Sequence, residues 1–143
     1  MIERREDMWE VSCDVICITT NGTIKKDGSC VMGRGCALQA REKFPGIDKK
    51  LGDLIKQNGN KVQVITNNGR CIVAFPVKHN WNELANHDLI EKSTKQLVDL
   101  TNLCGWATVV LPRPGCNNGG LSWENVKPIL LKYLDDRFII VNR

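Results

Sequence analysis

Apolar residues fall along this chain in two alternating rhythms. Short solid runs rich in Val, Ile, Leu and Cys stand at Asp14–Thr20, Val62–Ile65, Cys71–Phe75, Ala107–Leu111 and Arg137–Val141. Runs this short, bounded by turn residues, read as strands buried on both faces. A weaker strand covers Ile2 to Arg5. Between them lie segments with helical spacing. One runs from Gly35 to Phe44, with Ala37, Leu38, Ala40 and Phe44 as apolar positions, and Pro45-Gly46 stops it. A second spans Ile47 to Gln57 and ends at Asn58-Gly59. A long helix runs from about Asp88 to Cys104, with Gly105 at its C′ position. The last opens at Leu121-Ser122-Trp123 and is expected to reach Leu134. Pro128 requires that this helix start later than Trp123 or bend. Asn67-Asn68-Gly69 joins two of the strands as a hairpin turn. This alternation predicts an α/β sandwich with parallel central strands and antiparallel pairing at one edge.

Two of the strand ends run into glycine-rich loops. After Ala107–Leu111 comes Gly115-Cys116-Asn117-Asn118-Gly119-Gly120, then a helix start. After Asp14–Thr20 comes Asn21-Gly22, then Val31-Met32-Gly33-Arg34-Gly35 before a helix. Glycines let backbone N–H groups converge on an anion, and a helix N-terminus adds partial positive charge. Two such loops at strand ends can clamp one extended phosphorylated ligand from both sides, beyond the carboxyl ends of the strands. Each loop taken alone reads equally well as an ordinary turn.

At 143 residues the chain predicts one domain over 1–143 with a substantial buried core. With 42% hydrophobic and 25% charged residues it has ordinary globular composition. A net charge of +4 permits an anionic partner without demanding one. The basic pairs Arg4-Arg5, Lys25-Lys26 and Lys49-Lys50 read as solvated surface. The seven cysteines are odd in number, with no Cys-x-x-Cys. Cys17, Cys71 and Cys104 fall inside expected strands or helices, as small buried residues do. With two histidines and no ligand spacing, no metal is expected. Free thiols point to a reducing, cytoplasmic compartment. The charged N-terminus has no apolar signal core, and no run is long enough to span a membrane.

Three segments in this order resemble the macro domain family of ADP-ribose-binding modules. Thr19-Thr20-Asn21-Gly22 with Met32-Gly33-Arg34-Gly35-Cys36-Ala37 is similar to the family's first ligand loop. Phe75-Pro76-Val77-Lys78 is similar to a Phe-Pro-Thr-Lys stretch in one branch. Leu111-Pro112-Arg113-Pro114-Gly115-Cys116-Asn117-Asn118-Gly119-Gly120-Leu121-Ser122-Trp123 is similar to that branch's second loop. The branch contains a hydrolase that removes terminal ADP-ribose from protein glutamate and an antitoxin that removes ADP-ribose from DNA. The resemblance covers essentially the whole chain. It implies a three-layer α/β/α domain with a mixed, largely parallel central sheet. It implies a ligand that is ADP-ribose or an ADP-ribosylated substrate, DNA or protein. No cofactor, metal or membrane is expected, and the domain is expected to be a monomer. The implied activity is hydrolysis of an ADP-ribosyl bond. A non-catalytic reader of ADP-ribose, an ADP-ribose 1″-phosphate phosphatase and a binder of another nucleotide are the alternatives.

The resemblance also carries site residues. Lys78 matches a catalytic lysine, expected at a strand end and facing the ligand. An ordinary lysine amine is protonated and poorly nucleophilic, so the role requires burial or a nearby cation. Without the resemblance, Lys78 reads as a surface lysine. Asp7, followed by Met8, matches an acidic residue whose carboxylate accepts from the adenine amine. Glu6 replaces the glycine usual before it, and an exposed turn aspartate is the alternative. Asn21 matches an asparagine facing the distal ribose, and a turn role before Gly22 competes. Gly33, Gly35 and Cys36 in the first loop match positions beside the diphosphate. Cys116, Asn117, Asn118, Gly119, Gly120 and Leu121 do so in the second loop. The glutamate-directed hydrolase has an aspartate where this chain has Gly119, so a lysine–aspartate pair is not implied. His79 is expected to face away from Lys78. Trp81 and Trp123 flank the candidate site, either to cover a sugar or base or, for Trp123, to join the core.

Overall fold

The central strands each divide their side chains between two separate apolar cores. The structure is a computed structural model that describes residues 1–143. Strand β2 (Val15–Thr20) sends Ile16 and Ile18 to one core and Val15 and Cys17 to the other. Strand β4 (Ile72–Pro76) splits Ile72 and Ala74 from Val73 and Phe75 in the same way. So do β5 (Val109–Pro112), with Val110 against Val109 and Leu111, and β6 (Phe138–Val141), with Ile139 and Val141 against Phe138 and Ile140. Burial on both faces is why these strands read as solid apolar runs.

Two more strands complete the sheet. β1 (Ile2–Arg4) and β3 (Gln63–Thr66) form its edges in the order β1-β6-β5-β2-β4-β3. All neighbours are parallel except β3 and β4, the hairpin expected at Asn67–Gly69. Helices α1 (Gly35–Lys43) and α2 (Ile47–Asn58) cover one face, with Ala37, Ala40, Ile47 and Leu51 in its core. Helices α3 (His87–Cys104) and α4 (Trp123–Leu131) cover the other, with Ile90, Leu97, Val126 and Leu130 in its core. The architecture is the three-layer α/β/α sandwich with a mixed, largely parallel sheet.

Local chemistry explains where the boundaries differ from expectation. β5 begins at Val109 because the N–H groups of Ala107 and Thr108 donate to the Asp14 carboxylate, at 2.7 and 3.1 Å, instead of joining the ladder. Asp14 is spent on that clamp, so β2 starts at Val15. α4 starts at Trp123, capped by the Ser122 side chain, and holds Pro128 inside; a later start does not occur. It ends at Leu131 rather than Leu134, because Tyr133 N–H bonds Leu130 O in a tightened final turn. Cys104 is exposed, not buried, at the end of α3 beside the exposed Leu103. Two small elements went unread in the sequence. One is a 3₁₀ turn at Met8–Glu10. The other is a hairpin closed by an Ile24–Cys30 bridge.

Candidate functional site

The parallel strands β2, β4, β5 and β6 all end at one edge, and a cleft of about 750 Å³ lies beyond those ends. This is where an open α/β sheet leaves room for a ligand. The loops that follow these strands and β1 form its walls.

After β1, Asp7 caps the 3₁₀ turn, accepting from Trp9 N–H at 3.0 Å. Its other carboxylate oxygen lies 3.5 Å from the Arg143 guanidinium. Asp7 and the buried Met8 both line the cleft. Asn21, at the end of β2, also lines it. Its side-chain oxygen accepts from Thr23 N–H at 2.9 Å, and its amide donates to Val31 O at 2.9 Å. The amide is built into the turn, which leaves one amide hydrogen uncommitted.

Gly33, Arg34, Gly35, Cys36 and Ala37 form the next wall, where α1 begins. The Arg34 N-cap makes no side-chain cap, so the first N–H groups of α1 are not closed off by a capping oxygen. Uncapped helix donors beside a cleft favour an anion. Cys36 Sγ sits 3.3 Å from both the N–H and the hydroxyl of Thr19. Burial pushes its thiol pKa up, so it stays neutral and is a poor nucleophile.

The loop after β5 contributes Arg113, Gly115, Asn117, Asn118 and Gly119. It folds on itself through Leu121 N–H to Gly115 O at 2.9 Å, and it is tied to the loop after β4 through Ala85 N–H to Gly119 O. A Cβ built on Gly35, at φ +57°, would stand 2.9 Å from the Asn118 amide, so the two glycine loops meet there. Cys116, Gly120 and Leu121 lie outside the lining. Cys116 and Leu121 pack against the α3/α4 core, and Gly120 faces Leu84.

Lys78 lies two residues past β4 and lines the cleft. Its Nζ donates to Trp81 O at 3.3 Å and to Asn118 O at 3.4 Å, bridging the two loops. His79 borders a separate depression with Asn60, Asn86 and Asp88; it and Lys78 both lie past the end of β4, so the strand alternation expected to separate them does not apply. Trp81 lines the cleft. Trp123 does not; its indole N–H donates to Glu3 at 3.1 Å.

Several lining residues were not singled out from the sequence. Arg113 is the most telling: its guanidinium lies 5.0 Å over the Trp123 ring, and its buried Nε has no hydrogen-bond partner. Its place between Pro112 and Pro114, in a stiff stretch at a strand end, was the available signal. Arg34, Leu84, Asn142 and Arg143 join the wall only through tertiary folding. Arg34, Lys78 and Arg113 make no ion pair, whereas Asp7 and Glu6 each face an arginine at 3.5 and 3.9 Å. Glu83 also lines the cleft without an ion pair, accepting from the Asn80 amide at 2.7 Å, so the unpaired charges are three cations against one carboxylate. No group of three or more His, Cys, Asp or Glu is placed to hold a metal ion. No helix is long and apolar enough to cross a membrane.

The sequence profile of the macro domain family matches residues 26–130. A DNA ADP-ribosyl transferase–DNA ADP-ribosyl glycohydrolase fusion protein of Thermosipho africanus is 24% identical over 127 residues, covering 73% of this chain and 32% of its own length. The ADP-ribose glycohydrolase OARD1 of Bos taurus is 28% identical over 101 residues, covering 71% of this chain and 65% of its own. The chain thus spans about a third of the first relative and just under two thirds of the second. The macrodomain of Mycobacterium tuberculosis DarG superposes with a TM-score of 0.83 at 24% identity, over 99% of this chain and 97% of that one. With a profile match over most of its length and a shared fold over nearly all of it, the chain belongs to the macro domain family.

Proposed function

We propose that this chain, as one macro domain over residues 1–143, binds ADP-ribose and hydrolyses the bond joining it to a macromolecule. The observation that carries this reading is Lys78, whose Nζ is held between the loop after β4 and the glycine loop after β5 in a cationic cleft. The names of its relatives support it: one is a DNA ADP-ribosyl glycohydrolase fusion and another an ADP-ribose glycohydrolase.

In this reading the ligand's adenine lies against Asp7 and Met8. Its diphosphate lies between the α1 N-terminus (Gly33, Gly35, Cys36) and the second loop (Asn117, Asn118, Gly119), with Arg34 and Arg113 supplying charge. Asn21 meets the distal ribose with its free amide hydrogen. Lys78 acts at the anomeric carbon of that ribose, as proton donor or nucleophile. Gly119 offers no carboxylate, so Lys78 works without an aspartate from that position. The domain acts as a monomer in a reducing cytoplasm, which its seven unpaired cysteines favour.

The test is release of ADP-ribose from ADP-ribosylated DNA and from ADP-ribosylated protein, for wild type and Lys78→Ala. Wild-type release, reduced at least about 100-fold in the variant with ADP-ribose affinity retained, supports the hydrolase. No release from either substrate, with ADP-ribose bound, leaves a reader. Phosphate release from ADP-ribose 1″-phosphate instead identifies a phosphatase.

A further inference from the structure

Glu6, Asp7 and Glu83 are the three carboxylates that line the cleft. The first two belong to the end away from Lys78. They follow β1, which β6, β5 and β2 separate from β4 in the sheet. Four strand spacings put about 19 Å between those strand ends. Both are also engaged, Glu6 with Arg4 at 3.9 Å and Asp7 with Arg143 at 3.5 Å. Glu83 instead follows β4, in the loop that carries Lys78, and forms no ion pair.

That loop is fixed at several points. Asn86 N–H donates to Val77 O at 2.9 Å, closing its base, and Ala85 N–H reaches Gly119 O at 2.9 Å. Within it, Glu83 N–H donates to Asn80 O at 3.2 Å, which folds residues 80–83 into a tight turn. Trp81, inside that turn, donates its N–H to Thr23 Oγ1 at 3.0 Å and accepts from Lys78 Nζ at 3.3 Å. The Lys78 ammonium is thus held against the same four residues that present Glu83. The Asn80 amide donates to Glu83 Oε1 at 2.7 Å, which orients the carboxylate and leaves Oε2 without a partner in the chain.

Hydrolysis needs two proton transfers, one onto the departing atom and one away from water. The Lys78 ammonium can supply only the first. Gly119, crowded by the Gly115 backbone, offers no carboxylate for the second. A carboxylate on a pinned turn, with one oxygen oriented and the other open to water, has that chemistry. We propose that Glu83 is the general base that activates the hydrolytic water. This rests on the hydrolase reading and adds a second catalytic group to it. Glu83 takes a proton from the water as the water oxygen bonds to the anomeric carbon. The bond from that carbon to the macromolecule breaks, and its electron pair stays with the leaving atom. The Lys78 ammonium protonates that atom. Glu83 then gives its proton to solvent, and Lys78 regains one.

The test compares wild type, Glu83→Gln and Glu83→Ala on an ADP-ribosylated oligonucleotide and on a peptide bearing ADP-ribosylated glutamate. Glutamine keeps the acceptor for Asn80 and cannot take the proton. Its kcat should fall at least about 100-fold on the substrate that the wild type cleaves, with the Kd for free ADP-ribose within about twofold. The wild-type rate should drop in acid as one carboxylate protonates, and Glu83→Gln should lose that limb. Added formate, a small carboxylate base, should restore Glu83→Ala at least about tenfold and leave Lys78→Ala unrestored. A wild-type kcat in Glu83→Gln overturns the proposal. So does an equal loss of ADP-ribose affinity, an acid limb that persists, or an alanine variant that formate does not restore. Each of these leaves the Lys78 reading standing, because Lys78→Ala is scored on its own. No release by the wild type from either substrate defeats the hydrolase reading itself, and Glu83 as its base falls with it.

Discussion

At position 119 a built Cβ would stand 2.5 Å from the Gly115 carbonyl oxygen and 2.6 Å from its Cα. Both are backbone atoms, so even alanine forces the loop to shift. Gly119→Ala is therefore expected to lower stability by about 1–3 kcal/mol and to weaken ADP-ribose binding, measured by thermal melting and calorimetry. The same crowding disfavours any side chain at 119, an aspartate included. Gly33 is the opposite case, since nothing lies within 4 Å of its built Cβ. Gly33→Ala should leave the melting temperature unchanged yet weaken ADP-ribose at least tenfold, about 1.4 kcal/mol. An unchanged Kd would remove Gly33 from the ligand contacts. At this scale the sequence spoke clearly wherever the signal was local. Lys78 and Asn21 stood out through the resemblance of the stretches around them to family motifs, not by residue type, and the structure places both around one cleft with Gly33, Gly35 and Gly119, while Gly120 lies outside it. Arg113 stayed silent because its meaning comes from Trp123, ten residues on, and from a buried Nε without a partner.

Gly52 shows how an element's packing overrides its propensity. In the middle of a helix, Gly→Ala normally stabilises by about 1 kcal/mol. Here a Cβ on Gly52 would stand 1.9 Å from the Gly28 carbonyl oxygen and 3.1 Å from Cys30 N. The hairpin lies directly on α2, where Cys30 N–H donates to Asp48 O at 2.9 Å. Gly52→Ala must push the hairpin away, reversing the sign to a loss of about 2 kcal/mol or more, checked by chemical denaturation. Thr23 of that hairpin anchors Trp81, so turnover should fall as well. A stabilised variant would mean that the hairpin moves freely on α2. This hairpin has no signature in the sequence, because Lys25-Lys26-Asp27-Gly28 has neither strand nor helix spacing. Its order comes from α2. The helices were legible for the opposite reason, since local signals fixed their ends. Asn86 caps α3 by accepting from Leu89 N–H, and Gly105 closes it at φ +69°. β5 was drawn two residues too early because its clamp, Asp14, sits at the start of the neighbouring strand β2, far away in sequence.

Titration couples the whole molecule to pH on two flanks. On the acid side, Lys127 holds Glu3 below the usual carboxylate range, and the Ala107 and Thr108 amides do the same for Asp14. Tyr133 lowers Glu91, and Arg137 lowers Asp135. A depressed carboxylate leaves the unfolded chain binding more protons in acid, so stability falls as pH drops below about 4.5. On the alkaline side, burial pushes Cys17 well up and Cys30 to about 12. The unfolded chain releases these protons from about pH 9, whereas the folded chain keeps them. Each such thiol therefore costs roughly 1.4 kcal/mol of stability per pH unit above that point, for Cys30 until about pH 12. Denaturant midpoints should form a plateau from roughly pH 5 to 8 and fall on both sides. Cys30→Ala separates the flanks. Its own thiol contribution disappears, so the alkaline slope becomes shallower while the acid flank keeps its shape. An alkaline slope identical to wild type would place the loss in other groups and refute the role of the buried Cys30 thiol.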